Sequence, residues 1–257
     1  MEYFLIFIFG AVFGSFINVC IYRIPLGRSI IQPPSHCPFC GRRVRWFDNV
    51  PILSYAILMG KCRDCGRRIP LRYLFVELLS ALSGVVLTRF FLIGPVFFLY
   101  WIFILALIAV SFIDLETQEI PDVITLPGIL AGIIVVTLLK AIGNGTYIDA
   151  FRHSFLGILA GGGVMFLMGF FGEMIFKKEA LGGGDVKLMA MVGAFLGWKM
   201  VILTFFTAPF FGAGVGIFMR LKFKSEVIPY GPYLAIASII SLLWGEGIIS
   251  YFFPMYG

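Results

Sequence analysis

Residues 95–113 read PVFFLYWIFILALIAVSFI, uncharged from end to end, and the chain then turns polar in Asp114-Leu-Glu-Thr-Gln-Glu-Ile-Pro-Asp122. A hydrocarbon layer about 30 Å thick needs roughly 20 such residues in a helix, so this stretch predicts a membrane span that ends on a carboxylate. The whole chain has the same character. Of its 257 residues 60% are hydrophobic, 17% aromatic and only 13% charged, which is far from the composition of a soluble domain. Working outward gives spans near 3–22, 74–93, 95–113, 123–142, 153–176, 187–197, 200–219 and 228–250. The sixth is short, and is either half-buried or continuous with the seventh across Gly197-Trp198-Lys199. The expected fold is an all-α polytopic integral membrane protein of about eight transmembrane helices.

The first span has no basic leader and no small-residue cleavage site, so it reads as a retained helix and not as a cleaved signal. Orientation follows from the loop after it, where Arg23, Arg28, Arg42, Arg43, Arg45, Lys61, Arg63, Arg67, Arg68 and Arg72 face only Asp48 and Asp64. The positive-inside rule makes that loop cytoplasmic and puts the N-terminus outside. Alternating from there, the chain exits at Arg89, returns at Asp114, exits at Lys140 and returns at Lys177-Lys178; spans six and seven then lead back to Arg220, Lys222 and Lys224. Asp114 and Asp185 therefore fall on one face, the cytoplasmic one. The net charge of +6 lies mostly in the one loop where topology demands it, so it points to anionic membrane lipid and not to nucleic acid.

That loop contains a repeat. Cys37-Pro-Phe-Cys40-Gly-Arg-Arg and Cys62-Arg-Asp-Cys65-Gly-Arg-Arg are two copies of one knuckle, and four thiolates suit tetrahedral zinc in a closed, structural site. The alternative, two disulfides, is disfavoured in a reducing cytoplasm. Cys20, inside the first span, reads as a small packed hydrophobe. Between the knuckles, residues 46–55 are too apolar for a solvated linker and too short for a span; they lie on the membrane surface or pack against the helices. Glu77, about one turn into the second span, is either a partner for a loop arginine or a functional acid. Asn18 and Ser15 form a polar spot in span one, read as an interhelical hydrogen bond.

Ionisable groups at the edges of spans are costly and point to function. Two aspartates within reach of each other share a proton, so the charged one can activate water while the neutral one polarises a carbonyl. Asp185 closes Leu-Gly-Gly-Gly-Asp, where side-chain-free backbone lets an extended substrate approach; it is equally placed to cap the following helix. Asp114 is its expected partner. Asp122, after Pro121, has the position of a first-turn charge, and Glu116 and Glu119 read as solvated. Glycine pairs such as Gly10/Gly14, Gly157/Gly161 and Gly193/Gly197 serve close helix packing, and Gly161-Gly162-Gly163 loosens the fifth span.

Gly14-Ser15-Phe16-Ile17-Asn18-Val19, Tyr22-Arg23-Ile24-Pro25, the two knuckles, Asp48-Asn49-Val50-Pro51, Arg72-Tyr73 with Glu77, the 114–122 segment and Gly-Gly-Gly-Asp185-Val-Lys187 together resemble the bacterial type IV prepilin peptidases over nearly the whole chain. The resemblance implies a multi-pass enzyme of the bacterial cytoplasmic (inner) membrane, of the Gly-x-Gly-Asp aspartic protease group. Such an enzyme cleaves the basic leader of prepilins and type II secretion pseudopilins at the cytoplasmic face, then methylates the new N-terminal amine with S-adenosylmethionine. It places Asp114 and Asp185 at the catalytic positions and Cys37, Cys40, Cys62 and Cys65 at the zinc positions. It divides the chain into residues 1–92, two helices with the zinc loop and the methyltransferase region, and residues 93–257, the peptidase. No glycine-rich dinucleotide turn follows a strand, so the methyl donor rests on the resemblance alone; Gly60 and Glu77 are the candidates for its pocket. Two rivals are a cation transporter, whose charges belong at the midplane, and a membrane-anchored zinc scaffold without catalysis.

Overall fold

The computed structural model describes residues 1–143, 146–177, 182–223 and 229–252, without the side chains of Phe176 and residues 215–223. Lys178 and Lys224, and the side chains of Arg220 and Lys222, lie outside the described residues. The chain forms two compact units, Met1–Ala109 and Val110–Gly257. The described residues are helical apart from loops and two isolated bridges, His36 with Arg43 and Lys61 with Arg68.

The first unit holds α1 (Glu2–Arg23), a 3-10 turn (Trp46–Asn49), the short α2 (Leu53–Ile57), α3 (Leu71–Leu87) and the first part of α4 (Pro95–Thr117). Pro25 and Pro70 bound α1 and α3, because proline disfavours helix in the residue before it and suits a helix start. The two helices touch backbone to backbone. A Cβ on Gly10 would lie 2.6 Å from Ala81 Cα, and one on Gly14 would lie 2.6 Å from Glu77 Cα. Buried Arg23 donates to the carbonyls of Ser29 and Pro33 at 2.9 and 2.6 Å and so folds the chain back beneath α1.

The second unit holds the end of α4, α5 (Asp122–Ile142), α6 (Tyr147–Ile158), a π turn (Leu159–Gly163), α7 (Val164–Phe176), α8 (Gly183–Leu196), α9 (Trp198–Phe223) and α10 (Gly231–Phe252). Its hub is α8, packed by α5, α6, α7, α9, α10 and the π turn, and every residue from Leu188 to Leu196 is buried. Fourteen residues rise about 21 Å, short of the hydrocarbon thickness, so the sixth expected span is an interior helix walled off by protein. Gly157 and Gly193 let α6 and α8 meet with no side chain between them, since a Cβ on either would overlap the other's backbone. The triple glycine expected to loosen the fifth span forms the π turn, where Gly161 sits against the Met189 carbonyl of α8.

Among the described residues, five helical segments are long and apolar enough to cross a membrane: Glu2–Arg23, Pro95–Thr117, Asp122–Ile142, Tyr147–Ile175 and Gly231–Phe252. The other expected spans correspond to α3 with 17 residues, α8 with 14 and α9 with 26.

Candidate active site

In the second unit, α4 ends because Gln118 takes a left-handed conformation (φ 56°) and its N–H bonds the Asp114 carbonyl at 2.9 Å. That stop leaves Asp114 in the last turns of α4 with its side chain buried. Its Oδ2 accepts the N–H of Gly231, the first residue of α10, at 2.8 Å. A Cβ on Gly231 would stand 2.7 Å from that oxygen, so the contact exists because residue 231 lacks a side chain.

Asp185 occupies the first turn of α8, where Gly182 is the cap residue, and its carboxyl accepts the Gly182 backbone N–H. Gly184 beside it lies against Ile120, 2.7 Å from where its Cβ would be, which holds the glycine turn on the α4–α5 connector. The Asp185 carboxyl is pushed up to about 6, first by burial and then by the nearby charge of Asp114; its Oδ1 is buried without a hydrogen-bond partner. The structure thus brings the two aspartates into one electrostatic neighbourhood. Tyr230 joins them, its phenol pushed up by burial and by the charge of Asp185. Tyr230 and Gly231 are the residues that sequence reasoning missed. The available signal was the Pro229-Tyr-Gly-Pro232 run at the start of the last span.

Asp122 takes another place. It lies in the first turn of α5 after Pro121 and binds Lys187 Nζ through both oxygens at 2.7 and 2.8 Å. Glu116 and Glu119 are exposed.

The first unit holds the cysteine knuckles. The Sγ atoms of Cys37, Cys40, Cys62 and Cys65 all lie within 4.8 Å of one another, and all four thiols are free. Four sulfurs at about 2.3 Å from a tetrahedral ion stand about 3.8 Å apart, so the donor set fits a metal. The knuckles repeat atom for atom: Cys37 N–H to Arg42 carbonyl and Gly41 N–H to Cys37 carbonyl recur as Cys62 to Arg67 and Gly66 to Cys62, all at 2.8–2.9 Å. Gly41 and Gly66 have φ near +69° and +68°, the left-handed turn that glycine takes without cost. Asp48 ties the intervening segment to the second knuckle through a two-pronged contact with Arg63 at 2.6 and 2.8 Å, and that guanidinium holds the Asp48 carboxyl below its usual range.

Beside the knuckles lies a cavity of about 190 Å³ lined in part by Ser15, Asn18, Tyr22, Tyr55, Tyr73 and Glu77. Glu77 is buried. Its Oε2 accepts the Ile52 N–H at 2.7 Å, and Ser15 is its other hydrogen-bond partner; among the described residues it makes no ion pair with a loop arginine. Ile52 is the apex of a γ-turn, with φ 63° and ψ −53° and Leu53 N–H on the Pro51 carbonyl at 2.6 Å, a conformation a β-branched residue strongly resists. Gly60 does not line the cavity. With φ 66° it lies behind Tyr55, where a Cβ would come 2.8 Å from the phenol oxygen, so it shapes the wall through Tyr55.

The bacterial peptidase A24 N-terminal domain matches residues 8–91, and the type IV leader peptidase family matches residues 101–217. Among similar proteins, a prepilin leader peptidase/N-methyltransferase of Myxococcus xanthus (strain DK1622) is 40% identical over 84% of this chain and 62% of its own length. Those of Aeromonas salmonicida (strain A449) and Pseudomonas aeruginosa bearing the same name are 34% and 36% identical, over 96% and 93% of this chain and 92% and 89% of theirs. No solved structure matches the chain.

Proposed function

This chain belongs to the type IV leader peptidase family, and from that premise we propose that it removes the leader of prepilins and pseudopilins with Asp114 and Asp185 and then N-methylates the new terminus. The observation that carries the peptidase reading is the buried Asp114 carboxylate, fixed by the Gly231 N–H at 2.8 Å beside Asp185. Each carboxyl accepts one backbone N–H, Asp114 from Gly231 and Asp185 from Gly182, and burial together with the neighbouring anion of Asp114 favours the neutral form of Asp185. The pair then divides the work. Asp114 takes a proton from water as the water oxygen attacks the scissile carbonyl, and Asp185 gives its proton to the carbonyl oxygen. Collapse of the resulting diol returns a proton to Asp185 and delivers one to the leaving nitrogen.

The four cysteines hold zinc in a closed structural site, which fixes the loop and takes no part at the scissile bond. The cavity beside them is the place for S-adenosylmethionine, with Glu77 on its wall and Gly60 supporting Tyr55; the tyrosine faces and carboxylate suit a cationic donor. S-adenosylmethionine supplies the electrophilic methyl group. The enzyme is a multi-pass protein of the bacterial inner membrane with its N-terminus outside and its dyad at the cytoplasmic face.

The test is cleavage of a prepilin in membranes by wild type, Asp114→Asn, Asp122→Asn and Asp185→Asn, with product masses read for leader loss and an added methyl group. Asparagine keeps the size and removes proton exchange, so the Asp114 and Asp185 variants are expected to lose at least about a thousandfold in rate, with Asp122→Asn within about tenfold. Normal cleavage by Asp114→Asn sinks the dyad.

A further inference from the structure

Asn18 is 1% exposed and stands in α1 opposite the start of α3. Its amide nitrogen donates to the Tyr73 carbonyl at 3.0 Å. That bond fixes which way the amide points, since the reverse assignment would set two oxygens against each other. The remaining atom, Oδ1, is buried and has no hydrogen-bond partner among the described residues. A buried acceptor left unpaired costs about 1–3 kcal/mol, and this one belongs to a side chain lining the cavity. Glu77, which also lines the cavity, carries a buried carboxyl whose partners among the described residues are neutral donors, the Ile52 N–H and Ser15.

An unpaired acceptor and an unneutralised carboxylate together call for one chemical partner, a group with several N–H donors and a positive charge. Seven arginines also line the cavity, Arg23, Arg42, Arg43, Arg45, Arg63, Arg67 and Arg68, and among the described residues none pairs with Glu77; Arg23 is committed to the Ser29 and Pro33 carbonyls, Arg63 to Asp48 and Arg42 to Asp64. From these observations we infer that Asn18 Oδ1 and Glu77 form a subsite for a primary ammonium group of a methyl-transfer reactant. The inference rests on the methyl-transfer reading above. Both reactants carry such a group, the peptide at its freed N-terminus and S-adenosylmethionine at its α-amine, and the geometry of the site serves either.

Equilibrium binding of each reactant alone separates the two sources. One arm uses a peptide with the mature pilin N-terminus and the same peptide N-acetylated; the other uses S-adenosylmethionine and its analogue lacking the α-amine. The full chain is compared as wild type and Asn18→Leu, with resistance of residues 37–68 to limited proteolysis reporting a folded first unit. In one arm, removal of the amine and Asn18→Leu are each expected to weaken binding about tenfold to a hundredfold. The arm that responds identifies the occupant. If wild type binds both reactants and neither the amine nor Asn18 matters, the subsite is wrong and the methyl-transfer reading stands. If wild type binds neither reactant, both fall. Should Asn18→Leu fail to fold, the amine-free ligands on wild type decide the matter alone.

Discussion

Gly231→Ala adds one carbon, and its effect can be worked out from three atoms. Residue 231 is the first of α10 and needs no left-handed conformation, so alanine costs nothing in the backbone. The added Cβ would stand 2.7 Å from Asp114 Oδ2 and 3.2 Å from its Cγ, inside any tolerable contact, and the carboxylate must swing off the 2.8 Å hydrogen bond. A hydrogen bond to a charged group contributes about 1.5–3 kcal/mol, which corresponds to a fall of about tenfold to 150-fold in kcat. KM for the prepilin should change far less. The assay is cleavage of a prepilin in detergent, with protein yield and thermal stability as controls. A stable Gly231→Ala protein cleaving within threefold of wild type would show that the Gly231 N–H does not set the state of Asp114, and the division of roles in the dyad would have to be redrawn.

Protonated Asp185 is the donor in the proposed mechanism, and its carboxyl lies at about 6; since the neutral form disappears as pH rises through that value, kcat/KM for cleavage should fall by about tenfold per pH unit above it, and a rate still rising from pH 7 to 9 would contradict the assignment. Lys187→Met breaks a half-exposed pair with Asp122, so unfolding measurements should register no more than about 1 kcal/mol. Gly157→Leu forces a side chain into the Gly193 backbone and should abolish the folded protein, whereas Gly163→Ala, facing open space, should leave yield and melting temperature unchanged. Stripping metal with a chelator under reducing conditions should make the segment 37–68 sensitive to limited proteolysis while prepilin cleavage holds within about threefold.

Local patterns made the spans and the knuckles legible. An uncharged run such as 95–113 has one reading in a bilayer, and the two Cys-x-x-Cys-Gly copies carry their turn chemistry with them. Asp114 and Asp185 were legible for the same reason, being charges where charge is costly. The Asp114–Gly231 bond was not, because it joins residues far apart in sequence and the donor is a backbone N–H that any residue but proline supplies. Asn18 read as an interhelical bond, and its nitrogen makes one; that its oxygen is left over depends on packing that no pattern encodes. The sixth span stayed open between half-buried and continuous with the seventh, since a helix walled in by protein and one bathed in lipid have the same composition. Gly60 was a candidate for the methyl-donor pocket, yet it stands behind the Tyr55 ring and reaches the cavity only through it.

The bond between Asp114 and Gly231 also has a bearing on how the protein is made. Translation delivers α4 and α8 well before α10, so a ribosome-bound chain carries both aspartates while the N–H that holds Asp114 is still unsynthesised. In the proposed mechanism proteolytic competence therefore waits for α10, and a nascent chain that stops short of it is expected to leave uncut the neighbours it meets during insertion.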